Sequence, residues 1–159
     1  MEASIREAEY ALDTLKLDGV LLRASAGDHY LGDPVFGELM DELDRRTAVV
    51  FLHPSAPPGS NVPKPDLPVF LVEFIFDTTR AVGNLLFSGT LDRCSRTRFI
   101  IAHAGGAIPY IAGRLSLGEV VRPWLNGELR EGVIPALRRL YFDSAFRLSL
   151  RVARTSGTG

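Results

Sequence analysis

Four short apolar runs alternate with longer amphipathic stretches along this chain. The runs cover residues 20–22, 48–52, 98–102 and 140–142. The second run is continuous and contains β-branched residues, which is typical of a strand covered on both faces. Because helical stretches separate the runs, their order predicts parallel strands with helices packed outside them.

The helical stretches carry recognisable start signals. Ser4 and Glu7 have the spacing of a capping box, so Ser4 is expected to cap the first helix. Asp33 and Pro34 predict the start of the second helix, with aspartate as N-cap and proline in the first helical position. Further helices are predicted over residues 70–87, after Pro109 and within residues 127–139. The predicted fold class is therefore α/β with a parallel sheet.

The length of 159 residues is that of one domain. This domain is assigned to residues 1–150, and the polar residues 151–159 are expected to form a disordered tail. Residues 54–68 are rich in proline and serine, and they predict a long loop of the kind that often serves a binding site.

Composition and charge exclude several classes of function. The net charge of −1 gives no electrostatic reason to expect nucleic acid or an anionic membrane as a partner. The first residues lack the apolar core of a secretory signal, and the most apolar window, residues 69–76, is too short to span a bilayer. A cytoplasmic location is therefore expected. The single cysteine, Cys94, cannot form an internal disulfide and is interpreted as a bystander rather than a nucleophile.

Two of the three histidines, His53 and His103, directly follow apolar runs. In parallel α/β folds, functional residues collect at the carboxyl ends of strands, and neighbouring strands lie about 5 Å apart. Two histidines placed there can share one metal ion, or one can bind metal while the other transfers a proton. The alternative is that each is a polar residue that meets solvent at a strand end.

Asp143 has the same position after the fourth run, so it is a candidate carboxylate of the same site. Its alternative role is to cap a following helix together with Ser144. His29 lies in a turn-like segment and either lines the mouth of the site or is a solvated loop residue. Gly105 and Gly106 either let backbone amides approach an anion at a helix N-terminus or form a tight turn.

Arg80 and Arg114 are the arginines best placed to bind a carboxylate substrate through two parallel hydrogen bonds. Each lies in a largely apolar helical stretch. A salt bridge on the surface or at an interface is the alternative for both.

Four segments of the chain, in their order and spacing, resemble a known family. They are VVFLHP at residues 49–54, EFIFDTTRA at 73–81, RFIIAHAGGAIPY at 98–110 and LYFDSA at 140–145. The family is that of the amidohydrolase-related decarboxylases, which include aminocarboxymuconate-semialdehyde decarboxylase and the fungal methylsalicylate decarboxylases. The resemblance extends over residues 11–145, and its most specific part is residues 103–114.

The resemblance implies a (β/α)8 TIM barrel of the metal-dependent hydrolase type with one divalent metal, usually zinc. It implies that His53 is the metal ligand on the fifth strand, and that His103 is the sixth-strand histidine that acts on metal-bound water or on the substrate. Arg114 matches an arginine that, in some members, reaches the substrate carboxylate across a dimer interface, so a homodimer is one expectation. Asp143 matches a seventh-strand aspartate and is a second catalytic candidate without an assigned role.

The chain departs from the family pattern on both sides of these segments. It lacks the His-x-His metal pair of the first barrel strand, and its own first strand corresponds to the fourth. It also lacks the Gly-Ser-Asp motif of the eighth strand. A partial barrel of the central four βα units is therefore expected, with an incomplete metal site and low stability as a monomer, since catalytic zinc usually needs three protein ligands and an open sheet exposes its edges.

These expectations predict a metal-dependent carboxy-lyase that acts on a small aromatic or unsaturated carboxylic acid. The metal would polarise a substrate oxygen or activate water, His103 would move the proton, and Arg114 or Arg80 would hold the carboxylate. One alternative is a metal-dependent hydrolase of the same superfamily, because fold does not determine function. The other is a non-catalytic barrel fragment or interaction partner, which the missing ligands favour.

Overall fold

The computed structural model describes residues 1–55, 57, 66–121 and 129–145. Their strands are β1 (Gly19–Arg23), β2 (Ser25–Ala26), β3 (His29–Tyr30), β4 (Val49–His53), β5 (Arg98–Ile101) and β6 (Tyr141–Phe142). Their helices are α1 (Glu2–Glu9), α2 (Gly37–Arg45), α3 (Val69–Phe87), α4 (Thr90–Arg93), α5 (Ile108–Val121) and α6 (Val133–Arg138). Among these helices, none combines the length and the apolar character needed to cross a bilayer.

Strands β1, β4, β5 and β6 form one sheet in that order, and every neighbouring pair is parallel. Parallel strands need a long crossover connection, and the helices between these strands provide it. The α/β class and the parallel sheet predicted from the alternating pattern are therefore confirmed. The four strands of this sheet point the same way, so their carboxyl ends meet at one edge of it.

The core lies between one face of the sheet and the helices. The side chains that point to this face are Val50, Leu52, Phe99 and Ile101, and each is at most 2% exposed. They pack against fully or nearly fully buried residues of α2 and α3, namely Leu39, Met40, Leu43, Ala81, Val82, Leu85 and Leu86. Burial of this apolar surface is the main source of stability for the described part of the chain.

The opposite face of the sheet carries a row of apolar side chains in register. Leu21 pairs with Phe51, Phe51 with Ile100, and Ile100 with Tyr141. Leu21 is 59% exposed and Tyr141 is 58% exposed, while the middle two are half-buried. The prediction that residues 48–52 form a strand covered on both faces is thus wrong within the described residues, where helices cover one face only.

The first helix begins earlier than its sequence signals predict. Helix α1 starts at Glu2 with Met1 as N-cap and without a side-chain cap, and the backbone N–H of Ser4 donates to the Met1 carbonyl at 2.9 Å. Ser4 therefore lies inside the first turn, and the predicted capping box with Glu7 is wrong. A single turn of π-helix, Tyr10–Thr14, follows α1 before the chain enters β1.

Asp33 occupies the predicted N-cap position of the turn Pro34–Phe36, which leads into α2. Its carboxylate makes no cap hydrogen bond. Instead it accepts from the backbone N–H of Tyr30 at 3.2 Å and from the side-chain amide of Asn84 at 2.8 Å. Asp33 was predicted to cap the helix, but its carboxylate instead joins Tyr30 to Asn84 of α3. The sequence could not show this, because Asn84 comes within reach of Asp33 only in the folded chain.

One hairpin and one short helix were not predicted. Strands β2 and β3 form a two-stranded antiparallel hairpin after β1, turning through Gly27, whose φ is +59°. Helix α4 follows α3 directly. The predicted helix within residues 127–139 is observed as α6, whereas most of the predicted loop 54–68 and the whole predicted tail 151–159 lie outside the described residues.

Two buried carboxylates join distant parts of the chain. Asp44 of α2 accepts from the backbone N–H groups of Arg96 and Thr97 at 2.7 and 3.1 Å, and from Arg96 Nε at 2.9 Å. Asp92 of α4 accepts from the backbone N–H of Arg130 at 2.6 Å and from the guanidinium of Arg139. Each carboxylate therefore fixes the approach to a strand of the sheet.

The single cysteine is part of the core. Cys94 is 1% exposed, and its thiol donates to the Met40 carbonyl oxygen at 3.6 Å. Burial raises the pKa of this thiol above its usual value. A protonated, buried thiol is a poor nucleophile, in agreement with the interpretation of Cys94 as a bystander.

Candidate active site

The two histidines that follow apolar strands lie side by side at the carboxyl edge of the sheet. His53 is the last residue of β4, and His103 follows the end of β5 by two residues. Their ring centroids are 5.3 Å apart, with the ring planes at 62°. The sequence-based expectation that neighbouring strand ends bring these side chains together is confirmed.

A phenyl ring from α3 closes the pair on one side. The Phe74 ring centroid lies 6.0 Å from that of His53, edge to face, and 6.1 Å from that of His103, at a tilt of 32°. Phe51 adds a second aromatic contact to His53, at 6.3 Å. Both histidines are half-buried, so they combine an apolar surrounding with access to a ligand.

The hydrogen bond of His53 determines which of its ring nitrogens is available. Nδ1 lies 2.9 Å from the Pro54 carbonyl oxygen. A carbonyl oxygen can only accept, so Nδ1 carries the hydrogen and donates it. In the neutral ring the lone pair is then on Nε2, which is the arrangement of a metal-binding histidine whose other nitrogen is held by a backbone carbonyl.

His103 has an environment that favours its neutral form. Burial lowers the pKa of its imidazole, the neighbouring His53 lowers the pKa further, and Asp143 partly opposes both effects. A neutral imidazole can accept a proton at one nitrogen while donating at the other. The arrangement therefore suits proton transfer.

The backbone that carries His103 is left-handed. His103, Ala104, Gly105 and Gly106 have φ values of +56°, +52°, +82° and +63°. For residues with a side chain, this conformation costs roughly 1–2 kcal/mol each. The turn His103–Gly105 is thus a locally unfavourable conformation that the surrounding structure must stabilise.

The end of β6 contacts this turn on one side. Asp143 Oδ1 accepts from the backbone N–H of Ala104 at 3.1 Å, and from that of Ala145 at 3.3 Å. The backbone N–H of Asp143 donates to the Ile101 carbonyl at 3.1 Å. The phenyl ring of Phe142 packs so closely on Gly105 that a Cβ there would lie 2.5 Å from ring atom Cε1.

Helix α3 contacts the turn on its other side. A Cβ on Gly106 would lie 2.5 Å from the Ile75 carbonyl oxygen and 2.7 Å from Thr79 Oγ1. Thr79 Oγ1 donates to that carbonyl at 2.7 Å and accepts from the backbone N–H of Ala107 at 2.9 Å. Gly105 and Gly106 are therefore needed for close packing of the turn, which agrees with the tight-turn interpretation.

A buried network beside the histidines was not predicted from the sequence. Asp77 of α3 is fully buried and accepts from the Tyr30 hydroxyl and from the backbone N–H of Ser55, both at 2.9 Å. The hydroxyl oxygens of Ser25 and Ser55 are 3.1 Å apart. The network joins α3 to the segments that follow β1 and β4, and so supports the edge on which His53 lies.

Arg80 lies next to this network. Burial raises the pKa of Tyr30 above its usual range, the bond to Asp77 adds to the rise, and the positive charge of the nearby Arg80 opposes it. The guanidinium of Arg80 is exposed beside Tyr30. Asp77 and Arg80 both lie in the segment DTTR of α3. A charged residue inside an apolar helix is the sequence feature from which this network could have been predicted.

The remaining candidates lie elsewhere on the fold. Arg114 is exposed on α5. His29 is exposed in β3 and lies 3.1 Å from Asp33 Oδ2. Within the described residues, no group of three or more histidine, cysteine or acidic side chains is close enough to hold a metal ion. His53 and His103 therefore provide at most part of a ligand set, and the fit to a divalent metal is incomplete in this part of the chain.

A parallel α/β sheet with a histidine pair at its carboxyl edge does not by itself identify a family, and comparison with known proteins does. The amidohydrolase family model matches residues 1–147. The chain belongs to this family, as the resemblance of its four segments predicted.

Curated relatives and solved structures agree with this assignment. The 6-methylsalicylic acid decarboxylase of Penicillium expansum is 37% identical over 145 residues, which are 90% of this chain and 45% of that protein. The structure of Metarhizium anisopliae IDCase in its apo form is 26% identical and has a TM-score of 0.76, covering 92% of this chain and 42% of that one.

A third similar protein was solved with ligands. It is the 5-carboxyvanillate decarboxylase from Novosphingobium aromaticivorans, complexed with manganese and 4-hydroxy-3-methoxy-5-nitrobenzoic acid. It is 20% identical, has a TM-score of 0.73 and covers 88% of this chain and 42% of that one. At this identity the likeness shows the fold. This chain spans less than half the length of each of these three proteins.

Proposed function

We propose that this chain provides part of the active site of a metal-dependent carboxy-lyase that acts on a small aromatic or unsaturated carboxylic acid. The observation that carries the proposal is the pair His53 and His103 at the ends of adjacent parallel strands. The 37% identity with a 6-methylsalicylic acid decarboxylase supports the reaction class and the kind of acid.

The finer architecture belongs to the same proposal. We propose that β1, β4, β5 and β6 are the central four strands of a (β/α)8 barrel. The strictly parallel order supports it, as do the coverage of 42–45% of the similar proteins and the uncovered face that would point into the barrel. We also propose residues 1–150 as the domain, and a cytoplasmic location, with which the single free thiol is compatible.

His53 is the proposed metal ligand, through Nε2. The metal is divalent, with zinc as the sequence-based expectation and the manganese of the carboxyvanillate decarboxylase as support for a divalent ion. When bound, such an ion supplies charge that stabilises a substrate oxygen. Because the described residues offer no cluster of three donors, the proposed site needs further ligands from outside them.

His103 is the proposed proton-transfer group. In a decarboxylation the bond between the ring carbon and the carboxylate breaks, CO₂ leaves, and the electron pair stays on that carbon, which then takes a proton. The lowered pKa keeps the His103 imidazole neutral at neutral pH, so that one ring nitrogen can accept a proton while the other donates one. Asp143 is close enough to affect that imidazole electrostatically.

The two arginines are proposed to hold the substrate carboxylate, in different ways. Arg80 is exposed beside Tyr30, on the helix that also contributes Phe74 to the histidine pair. Arg114 is exposed on α5 and is free to face a second copy, so a homodimer belongs to this part of the proposal. Either guanidinium would bind a carboxylate through two parallel hydrogen bonds.

Turnover of 6-methylsalicylic acid tests the proposal directly. The full chain, supplied with zinc or manganese, is incubated with this acid, and release of CO₂ is measured. His103→Ala should reduce the rate by at least a hundredfold, on the order expected for loss of a general acid–base group. His29→Ala is the matched control, since His29 is exposed and bonded to Asp33. Unchanged turnover in His103→Ala would contradict the assigned role.

Two other outcomes correspond to the alternatives. The family description favours hydrolysis, so release of acid from ester or amide substrates without CO₂ formation would identify a hydrolase. The incomplete ligand set favours a non-catalytic fragment. A folded sample that binds neither zinc nor manganese and turns over neither class of substrate would establish that reading for this chain.

A further inference from the structure

The left-handed turn at the end of β5 needs an external support. Two of its residues, His103 and Ala104, carry side chains, and their φ values of +56° and +52° lie in a region that such residues rarely adopt. The backbone of His103 therefore does not hold this shape through local preference. Whatever stabilises the turn also determines where the His103 imidazole points, since the ring is attached inside it.

The carboxylate of Asp143 is placed to give this support. Its Oδ1 accepts the backbone N–H of Ala104, the residue after His103, at 3.1 Å. The same residue is tied to β5, because its backbone N–H donates to the Ile101 carbonyl at 3.1 Å. The acceptor is thus held rigidly between the end of β5 and the turn that follows it.

We propose that Asp143 is a positioning residue, whose Oδ1 stabilises the left-handed turn at Ala104 and thereby holds His103 beside His53. This role differs from the helix cap and from the direct catalytic part that the sequence suggested. The hydrogen bonds of Asp143 support its role in holding the turn. Its importance for catalysis depends on the proposed function.

The proposal makes the acceptor oxygen essential and the negative charge dispensable. Asp143→Asn keeps an Oδ1 acceptor in place, whereas Asp143→Ala removes it. Loss of a hydrogen bond to a charged acceptor raises the opening rate of the amide that made it by about tenfold to a hundredfold. We expect the Ala104 amide hydrogen to exchange faster by that factor in the alanine variant, and within about threefold of the wild-type rate in the asparagine variant.

A second substitution tests the turn conformation itself. Glycine adopts positive φ without the steric cost that alanine meets, so Ala104→Gly should stabilise the left-handed turn. Combined with Asp143→Ala, it should bring the side-chain ¹H–¹³C signals of His103 back toward their wild-type positions. A group that acted by its charge or by proton transfer would gain nothing from this change in backbone preference.

The measurements are hydrogen exchange of the Ala104 amide and the His103 side-chain spectrum of the folded full chain. The proposal is overturned if Asp143→Ala leaves both unchanged, if Asp143→Asn disturbs them as strongly as alanine does, or if Ala104→Gly fails to restore the His103 signals. If Asp143→Ala does not fold, the asparagine variant and the Asp143→Ala, Ala104→Gly double variant decide by the same criteria. Because none of these readings needs turnover, an inactive protein with this pattern would contradict the proposed function alone.

Discussion

The ring of Phe142 occupies the space where a side chain on Gly105 would begin. A Cβ built on Gly105 falls 2.5 Å from Cε1 and 2.6 Å from Cδ1 of this ring. Real Cβ atoms do not approach ring carbons this closely, and the φ of +82° at Gly105 disfavours a side chain independently. The aromatic residue at the end of β6 and the glycine after His103 therefore constrain each other.

Replacement of Gly105 by alanine should destabilise the protein. The φ penalty of about 1–2 kcal/mol adds to the cost of moving the Phe142 ring, so we expect a loss of roughly 2–4 kcal/mol in the free energy of unfolding. Urea denaturation measures it. Gly83→Ala in α3 is the matched control, since nothing lies within 4 Å of its Cβ position, and it should gain about 0.5–1 kcal/mol instead. Equal effects of the two substitutions would contradict the packing argument.

Removal of the Tyr30 hydroxyl should weaken the buried network around Asp77. In Tyr30→Phe the fully buried carboxylate keeps the backbone N–H of Ser55 and loses the Tyr30 donor. A hydrogen bond to a charged group contributes about 1.5–3 kcal/mol, and the free energy of unfolding should fall by that amount. Tyr110→Phe is the control, because Tyr110 is 83% exposed. A similar change in both variants would argue against the network.

Stability should decline on the acid side because of Asp44. Burial alone would raise the pKa of this carboxyl, but the hydrogen bonds from Arg96 and Thr97 outweigh it and hold the pKa below its usual value. A folded-state pKa below the unfolded value, which is about 3.9, means that the stabilisation is complete above that pH and is lost as pH falls through the folded pKa. Urea unfolding between about pH 6 and pH 3 measures the decline.

Asp44→Asn tests the origin of this decline. The variant lacks a titrating group at this position, so its stability should depend less steeply on pH below about 4 than that of the wild type. Asp18→Asn, at an exposed position, is the matched control and should follow the wild-type curve. If both variants keep the wild-type slope, other carboxyls cause the acid sensitivity.

Metal binding should depend on His53 and not on His29. The Pro54 carbonyl holds the Nδ1 hydrogen of His53, which leaves Nε2 for a ligand. Loss of one imidazole from a metal site weakens binding by at least tenfold, so His53→Ala should show that loss for zinc and manganese in a calorimetric titration. His29→Ala should bind as the wild type does. Equal affinity of all three proteins would remove His53 from the metal site.

The sequence predicted the elements whose cause is local. An apolar run predicted β4 within one residue at each end, and proline and glycine signals predicted the start of α5 within one residue. The hairpin of β2 and β3 was missed because each strand has two residues, too few for a period to show. The capping box at Ser4 is wrong because the helix begins three residues earlier, with Met1 as its N-cap, and a spacing pattern carries no information about competing starts.

For the candidate site, a general rule predicted one contact between residues far apart in the sequence, and no rule predicted the other. His53 and His103 were paired correctly because parallel strand ends meet by rule. Tyr30 and Asp77 are 47 residues apart, and no periodicity connects an exposed-looking tyrosine with an aspartate inside an apolar helix. The left-handed turn at Ala104 was also not predicted, since the two glycines beside it were sufficient to explain a turn.

Because Cys94 is buried, the reactivity of its thiol reports when the surrounding core opens. A thiol reagent reaches the sulfur only when the core around it opens, because Cys94 is 1% exposed and its thiol is bonded to the Met40 carbonyl of α2. Since the chain has one cysteine, each molecule is labelled once and at a known place. The rate of labelling therefore measures how often the core opens around Cys94, and it can be followed in every variant described above without an added probe site.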